Sequence, residues 1–154
     1  MLKGREDVNI FRLENENDYI ELKVTGYEFE NIAEDWLIVY GKIFVNGKFI
    51  EGEDPAMFVY EFTDLKQWAE DMLHNKNTSM WGSIEPNLEF KYNKDKNELM
   101  IYFYPEHELY HKEMEIKRDN DLFFFTKKCD TSDWKKIIKW CEDVIKDYPT
   151  RENI

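Results

Sequence analysis

One string in this 154-residue chain has the spacing of a catalytic site, His107-Glu108-Leu109-Tyr110-His111. On a helix, two histidines four apart share a face and can hold a zinc ion, while the glutamate beside the first activates a metal-bound water; zinc peptidases use the spacing this way. The neighbourhood argues against such a helix. Pro105 precedes the string directly after the strand-like run Leu99–Tyr104, and charged Glu106, Lys112 and Glu113 flank it, where a zinc helix is mostly apolar. A third ligand would have to be His74 or a carboxylate that nothing marks out. In an extended segment His107, Leu109 and His111 simply line one face. The expectation is therefore a loop or edge strand, with no metal, no cofactor and no catalytic residue. A zinc-dependent hydrolase built on residues 107–111 is the alternative, and metal analysis of the purified protein discriminates the two.

Other chemistries have weaker footholds. Cys129 and Cys141 stand twelve apart, in no CxxC pair and with no histidine at a nucleophile-like spacing. Cys141 falls on an apolar helix face, so both read as buried, reduced thiols. No GxGxxG, phosphate-loop or GxSxG string occurs. Acid–base carboxylate pairs of the glycosidase kind have no distinguished candidate among 33 acidic residues. Trp68, Trp134 and Trp140 lie on or beside faces that need a core; Trp36 and Trp81 are not assigned by pattern.

Composition narrows the class. With 42% hydrophobic residues and 25 aromatic side chains the chain has ample apolar area to fold, despite being 35% charged. Its net charge of −12 disfavours nucleic acid and anionic membrane surfaces and leaves a basic partner open. No stretch approaches the 18 or so apolar residues of a membrane span. The opening Met1-Leu2-Lys3-Gly4-Arg5-Glu6-Asp7 carries no apolar signal-peptide core, so the expected location is the cytoplasm.

The elements that must position any site read as α+β. Asp18–Thr25, Asn87–Tyr92 and Glu113–Arg118 alternate apolar and polar, the pattern of antiparallel strands with one wet face. Trp36–Val45, Ala56–Tyr60, Leu99–Tyr104 and Leu122–Phe125 read as more continuous runs. Asn46-Gly47, between Trp36–Val45 and Lys48–Ile50, predicts a tight hairpin, because both residue types tolerate positive φ. Asn93–Glu98 and Arg118–Asp121 predict further turns. Leu65, Trp68, Ala69, Met72 and Leu73 share a helical face over about 64–75, capped by Thr63 or Asp64. Trp134, Ile137, Ile138, Cys141, Val144, Ile145 and Tyr148 mark a second helix over about 132–147, with cap oxygens in Asp130–Asp133 and a stop at Pro149. The expected fold is a mainly antiparallel sheet of about seven to nine strands with these two helices packed on it. It forms one domain over 1–154, with a possible N-terminal arm over 1–9. Similar halves, about 8–75 and 80–148, hint at a repeated unit without a residue-level match.

Several blocks resemble one family. They are Gly26-Tyr27-Glu28-Phe29 followed by Trp36–Lys42; Asp54-Pro55 leading to the helix of Leu65 and Trp68; Ile84-Glu85-Pro86-Asn87-Leu88-Glu89-Phe90-Lys91-Tyr92; and Tyr148-Pro149-Thr150-Arg151. In this order, over about Tyr19 to Arg151, the chain resembles the WapI family of immunity proteins. These are small cytosolic partners of toxic C-terminal domains on large bacterial surface proteins, as in contact-dependent inhibition. The resemblance implies binding rather than turnover, with a cognate toxin domain as partner, and marks no interface residue. Members often carry a Trp- and Pro-bearing loop near Pro105–His111, so the histidine string departs from the pattern.

Charge suggests where such binding occurs. Residues 1–75 carry 17 acidic and 7 basic side chains, against 16 and 14 in residues 76–154. The imbalance sharpens in loops and strand ends predicted over 28–54. Toxins that cut nucleic acid need a basic cleft, and an acidic surface can occupy it. The candidate partner-binding residues are Tyr27, Glu28, Glu30, Glu34, Asp35, Trp36, Phe49, Glu51, Glu53 and Asp54, the aromatics as anchors. A structural or scaffold protein with no toxin partner is the competing class, in which the acidic loops serve only solubility.

Overall fold

A computed structural model describes residues 9–29, 35–84, 88–103 and 124–151, with Ala56 described by its backbone alone. The described residues form eight strands and two helices. β1 (Ile10–Asn15), β2 (Asp18–Tyr27), β3 (Trp36–Val45) and β4 (Lys48–Phe58) precede α1 (Val59–His74). β5 (Ser79–Gly82), β6 (Leu88–Asn93), β7 (Glu98–Phe103) and β8 (Phe124–Lys128) precede α2 (Thr131–Asp147). Each quartet is an antiparallel sheet with its strands in chain order. The mainly antiparallel α+β expectation holds, as two four-stranded sheets rather than one. The two halves share one plan, four strands and then a helix. The predicted strand Glu113–Arg118, the turn at Arg118–Asp121 and the histidine string 107–111 lie outside the described residues.

Alternation explains the strands. In β2, Ile20, Leu22 and Val24 are buried, and in β6, Leu88, Phe90 and Tyr92. β3, which reads as a continuous apolar run, is also one-sided: Leu37, Val39, Gly41, Ile43 and Val45 point inward while the residues between them are half-exposed. Asn46 (φ 52°) and Gly47 (φ 80°) form the expected two-residue turn. Beyond it the structure departs from the sequence pattern, because the acidic stretch expected as loop is strand. β4 runs unbroken to Phe58, with an extra residue at Ala56 where the register shifts opposite Leu37 and Ile38. As the outer strand of its sheet, β4 can keep Glu51 and Glu53 in water while Ile50 and Met57 face the core.

α1 starts at Val59, ahead of the predicted start, so Val59 and Tyr60 are helical and Thr63 and Asp64 are exposed residues inside the helix. The N–H groups of Phe58 and Val59 find acceptors there without a Ser, Thr or Asp cap. The buried carboxylate of Glu61 accepts from the Phe58 N–H at 2.7 Å and from the Ile84 N–H at 2.7 Å, and the Asp35 carbonyl accepts from the Val59 N–H at 3.0 Å. α2 begins as expected. Asp130 accepts from the Asp133 N–H at 3.2 Å, and Asp133 accepts in return from the Asp130 N–H at 2.9 Å.

The core interlocks the halves. On α1, Trp68 meets Phe90 of β6, in the second sheet; on α2, Trp140 stacks on Phe11 of β1, in the first sheet, with ring centroids 5.5 Å apart. The helices meet edge-to-face through Trp68 with Trp134 and Phe62 with Trp140. The sheets meet at Gly41, where a Cβ would lie 2.6 Å from the Phe103 ring. Asn9, at the end of the predicted arm, is buried; its side chain pairs with the Val24 backbone at 2.7 and 3.1 Å and accepts from the Trp140 indole at 3.3 Å.

Candidate partner-binding surface

The candidates cluster on the first sheet, whose pairing lays out its wet face in rows. Nearest the Asn46-Gly47 turn run Glu14, Tyr19, Phe44 and Phe49; next Arg12, Glu21, Lys42 and Glu51; then Ile10, Lys23, Tyr40 and Glu53. Beyond the register shifts, Trp36 lies against Phe58, with centroids 3.8 Å apart, and Phe58 stacks on Tyr60. An aromatic row thus closes each end of a charged belt. Phe49 is 51% exposed and Tyr60 50%.

Charge is mixed across this face, with Lys42 on β3 beside Glu51, and the acidic excess lies on β4. On the β1 side Arg12 pairs with Glu14 at 2.7 Å and Glu21 at 3.2 Å and sits over the Tyr19 ring. Lys23 lies over the Tyr40 ring. Towards β4 the carboxylates lead. Glu51 accepts from the Tyr40 hydroxyl, which pushes that phenol up to about 12, and Glu53 is exposed beside it. Asp54 projects to the inner side with Val39 and is half-buried.

Tyr27 and Asp35 are engaged within the chain. Arg151 donates to Asp35 through Nε at 3.0 Å and through its backbone N–H at 3.2 Å, and its guanidinium lies 3.7 Å from the Tyr27 ring centre. The Tyr27 hydroxyl donates to the Pro149 carbonyl at 2.6 Å, its ring meets Tyr148 edge-on, and burial raises its pKa. Tyr27 and Asp35, beside the facing ends of β2 and β3, and Tyr148–Arg151, far away in sequence, therefore form one clamp. Glu28, whose N–H donates to the Trp36 carbonyl at 2.9 Å, opens the segment between those strands. Glu30 and Glu34 lie outside the described residues.

The structure thus brings Trp36, Phe49, Glu51 and Glu53 onto one face, with Glu28 at its margin, and turns Tyr27 and Asp35 to an internal task. Sequence reasoning missed Tyr19, Tyr40, Phe44 and Phe58 on this face. Strict period-two counting along Trp36–Val45 would have separated Tyr40 and Phe44 from the buried set. Trp68, Trp81, Trp134 and Trp140 all pack with the core. Both cysteines are buried and free. Among the described residues, no group of three or more His, Cys, Asp or Glu could hold a metal ion, and no helix is long and apolar enough to cross a membrane.

No curated protein and no solved structure matches the chain. The model of the immunity protein WapI-like family matches residues 10–149, from the first residue of β1 to just past α2. That span takes in the strands and helices of both halves, stopping short of Arg151, and the chain belongs to the WapI-like immunity protein family.

Proposed function

We propose that this protein neutralises a cognate bacterial toxin domain by binding it, without catalysis of its own, and that it does so from the cytoplasm. The family match is the observation that carries the reading. The toxin we infer is a nuclease, whose phosphate-binding cleft has to be basic. The acidic, aromatic-ended side of the first sheet supports a place for contact: Phe49 as apolar anchor, Glu51 and Glu53 beside it, Trp36 and Glu28 at the far end. Interfaces are commonly anchored by an aromatic side chain that becomes buried inside a polar rim. In this reading Tyr27 and Asp35 act through the clamp, by holding the strand ends that carry Glu28 and Trp36. Opposite fields steer encounter and leave complexes salt-sensitive at the rate of association.

The test pairs survival with kinetics. Co-expression with the cognate toxin domain should rescue growth and yield a co-purifying complex. Association followed by stopped flow should slow by more than about tenfold as salt rises from low to high concentration. Reversing Glu51 and Glu53 to lysine should slow it similarly at low salt. Lack of rescue refutes the immunity reading; rescue with a salt-indifferent on-rate refutes the acidic surface.

A further inference from the structure

The edge of β4 has a property beyond its charge. The two-residue turn at Asn46-Gly47 makes Val45 and Lys48 a hydrogen-bonded pair, and antiparallel pairing then alternates. Ile50, Gly52 and Asp54 bond to β3, so Phe49, Glu51 and Glu53 aim their N–H and C=O groups away from the sheet. These are the residues whose side chains stand on the wet face. Among the described residues β4 pairs with β3 alone. The other outer strands offer less: β5 has four residues, and β1 and β8 contact each other, with α2 also against β1. Six main-chain groups over about 17 Å of straight strand, at about 3.4 Å per residue, thus face outward before Pro55 and the register shift end the run.

We propose that this edge is a strand-addition site, taking an extended Lys- or Arg-bearing segment of the cognate toxin domain as a fifth strand beside β4. The inference rests on the toxin-binding reading above and names its docking mode. Main-chain bonds to Phe49, Glu51 and Glu53 supply register, and side chains of the added strand lie about 5 Å from those of β4 on the same face. A basic residue opposite Glu51 or Glu53 meets a carboxylate, and an apolar one meets the exposed ring of Phe49. The same carboxylates argue against a second copy of this chain as occupant. Antiparallel self-pairing centred on Gly52 sets Glu51 against Glu53, like charge on like.

Proline distinguishes edge bonding from charge. At residue 53 it removes an outward N–H and no bond to β3, a position where sheets tolerate it. The Glu53→Pro variant should bind the toxin domain at least about a hundredfold more weakly, and Glu53→Gln less than about tenfold, both with wild-type circular dichroism. Hydrogen exchange on the wild-type complex supplies a readout independent of any variant. The amides of Phe49, Glu51 and Glu53 should slow by more than about tenfold on binding, while those of Ile50 and Gly52 are slow already. If Glu53→Pro fails to fold, this exchange result decides alone. Wild-type binding with no added protection at residues 49, 51 and 53, or equal losses for the proline and glutamine variants, overturns strand addition and leaves the toxin-binding reading standing. A wild-type protein that neither binds nor protects sinks both. A free wild-type dimer that Glu53→Pro converts to monomer assigns the edge to a second copy and overturns the proposal.

Discussion

At the scale of single residues, the two thiols make the sharpest solution prediction. Cys141 is fully buried on α2 and Cys129 is 4% exposed just after β8. Burial raises both, Cys129 to about 12 and Cys141 upward as well. Neither should react with a thiol reagent at pH 8 in the native protein, and both should react in denaturant. The folded thiols keep protons that the unfolded chain releases above about pH 8.5, so the unfolded state binds fewer protons there and stability falls as pH rises. Cys141 alone should contribute about 1.4 kcal/mol of loss per pH unit on the alkaline side. Urea unfolding at pH 8 and pH 10 should show that loss, shallower in Cys141→Ala. The sequence already placed Cys141 in the core, since one helical face suffices to decide it. The tasks of Tyr27 and Asp35 were not legible in this way. Their partner Arg151 is more than a hundred residues away, and no local pattern brings the two together.

At the scale of elements, legibility followed locality. α2 carries its own instructions in a periodic apolar face and the Asp130–Asp133 box, and it formed where the spacing predicted. Asp130→Ala should cost about 1 kcal/mol, lowering the melting temperature by about 2–4 °C in a chain of this size. The Asp130 carboxyl is itself held below the usual range, first by the Ser132 hydroxyl. Its stabilising bonds are thus in place above the unfolded pKa and are lost as pH falls through the lower folded one. α1 lacks such a local signal. Its first turn depends on Glu61, on the Asp35 carbonyl and on Ile84, two of them supplied by distant segments, so the sequence located its middle and not its start. β4 shows the opposite error. Glu51, Gly52, Glu53, Asp54 and Pro55 form a run of poor strand formers, and pattern alone made a loop of it. An outer strand tolerates them because half its backbone and one face stay in water.

At the scale of the whole molecule, the hint of two similar halves was sound in plan and silent on assembly. Each half is four antiparallel strands followed by a helix. Nothing in residue spacing says that Trp68 of the first helix sits against Phe90 of the second sheet, or that Trp140 of the second helix sits on Phe11 of the first. The charge imbalance read from the sequence is nearly cancelled on the wet face of the first sheet, where Arg12, Lys23 and Lys42 sit among Glu14, Glu21, Glu51 and Glu53, and it persists at the β4 edge. The contacts across the halves also bear on where the chain can be divided. Asn75, Lys76 and Asn77 link the halves with no regular structure, and both asparagines are exposed. A chain opened there gives two fragments, each stripped of the cross-half contacts, Trp68 with Phe90, Trp140 with Phe11 and Gly41 with Phe103, that help to bury its apolar sheet face. Made singly, each should be insoluble; made together, they should reassemble into a soluble one-to-one pair with the native spectrum, seen on gel filtration. Fragment complementation of that kind would turn immunity into a two-key lock, protecting a cell only when both pieces are expressed at once.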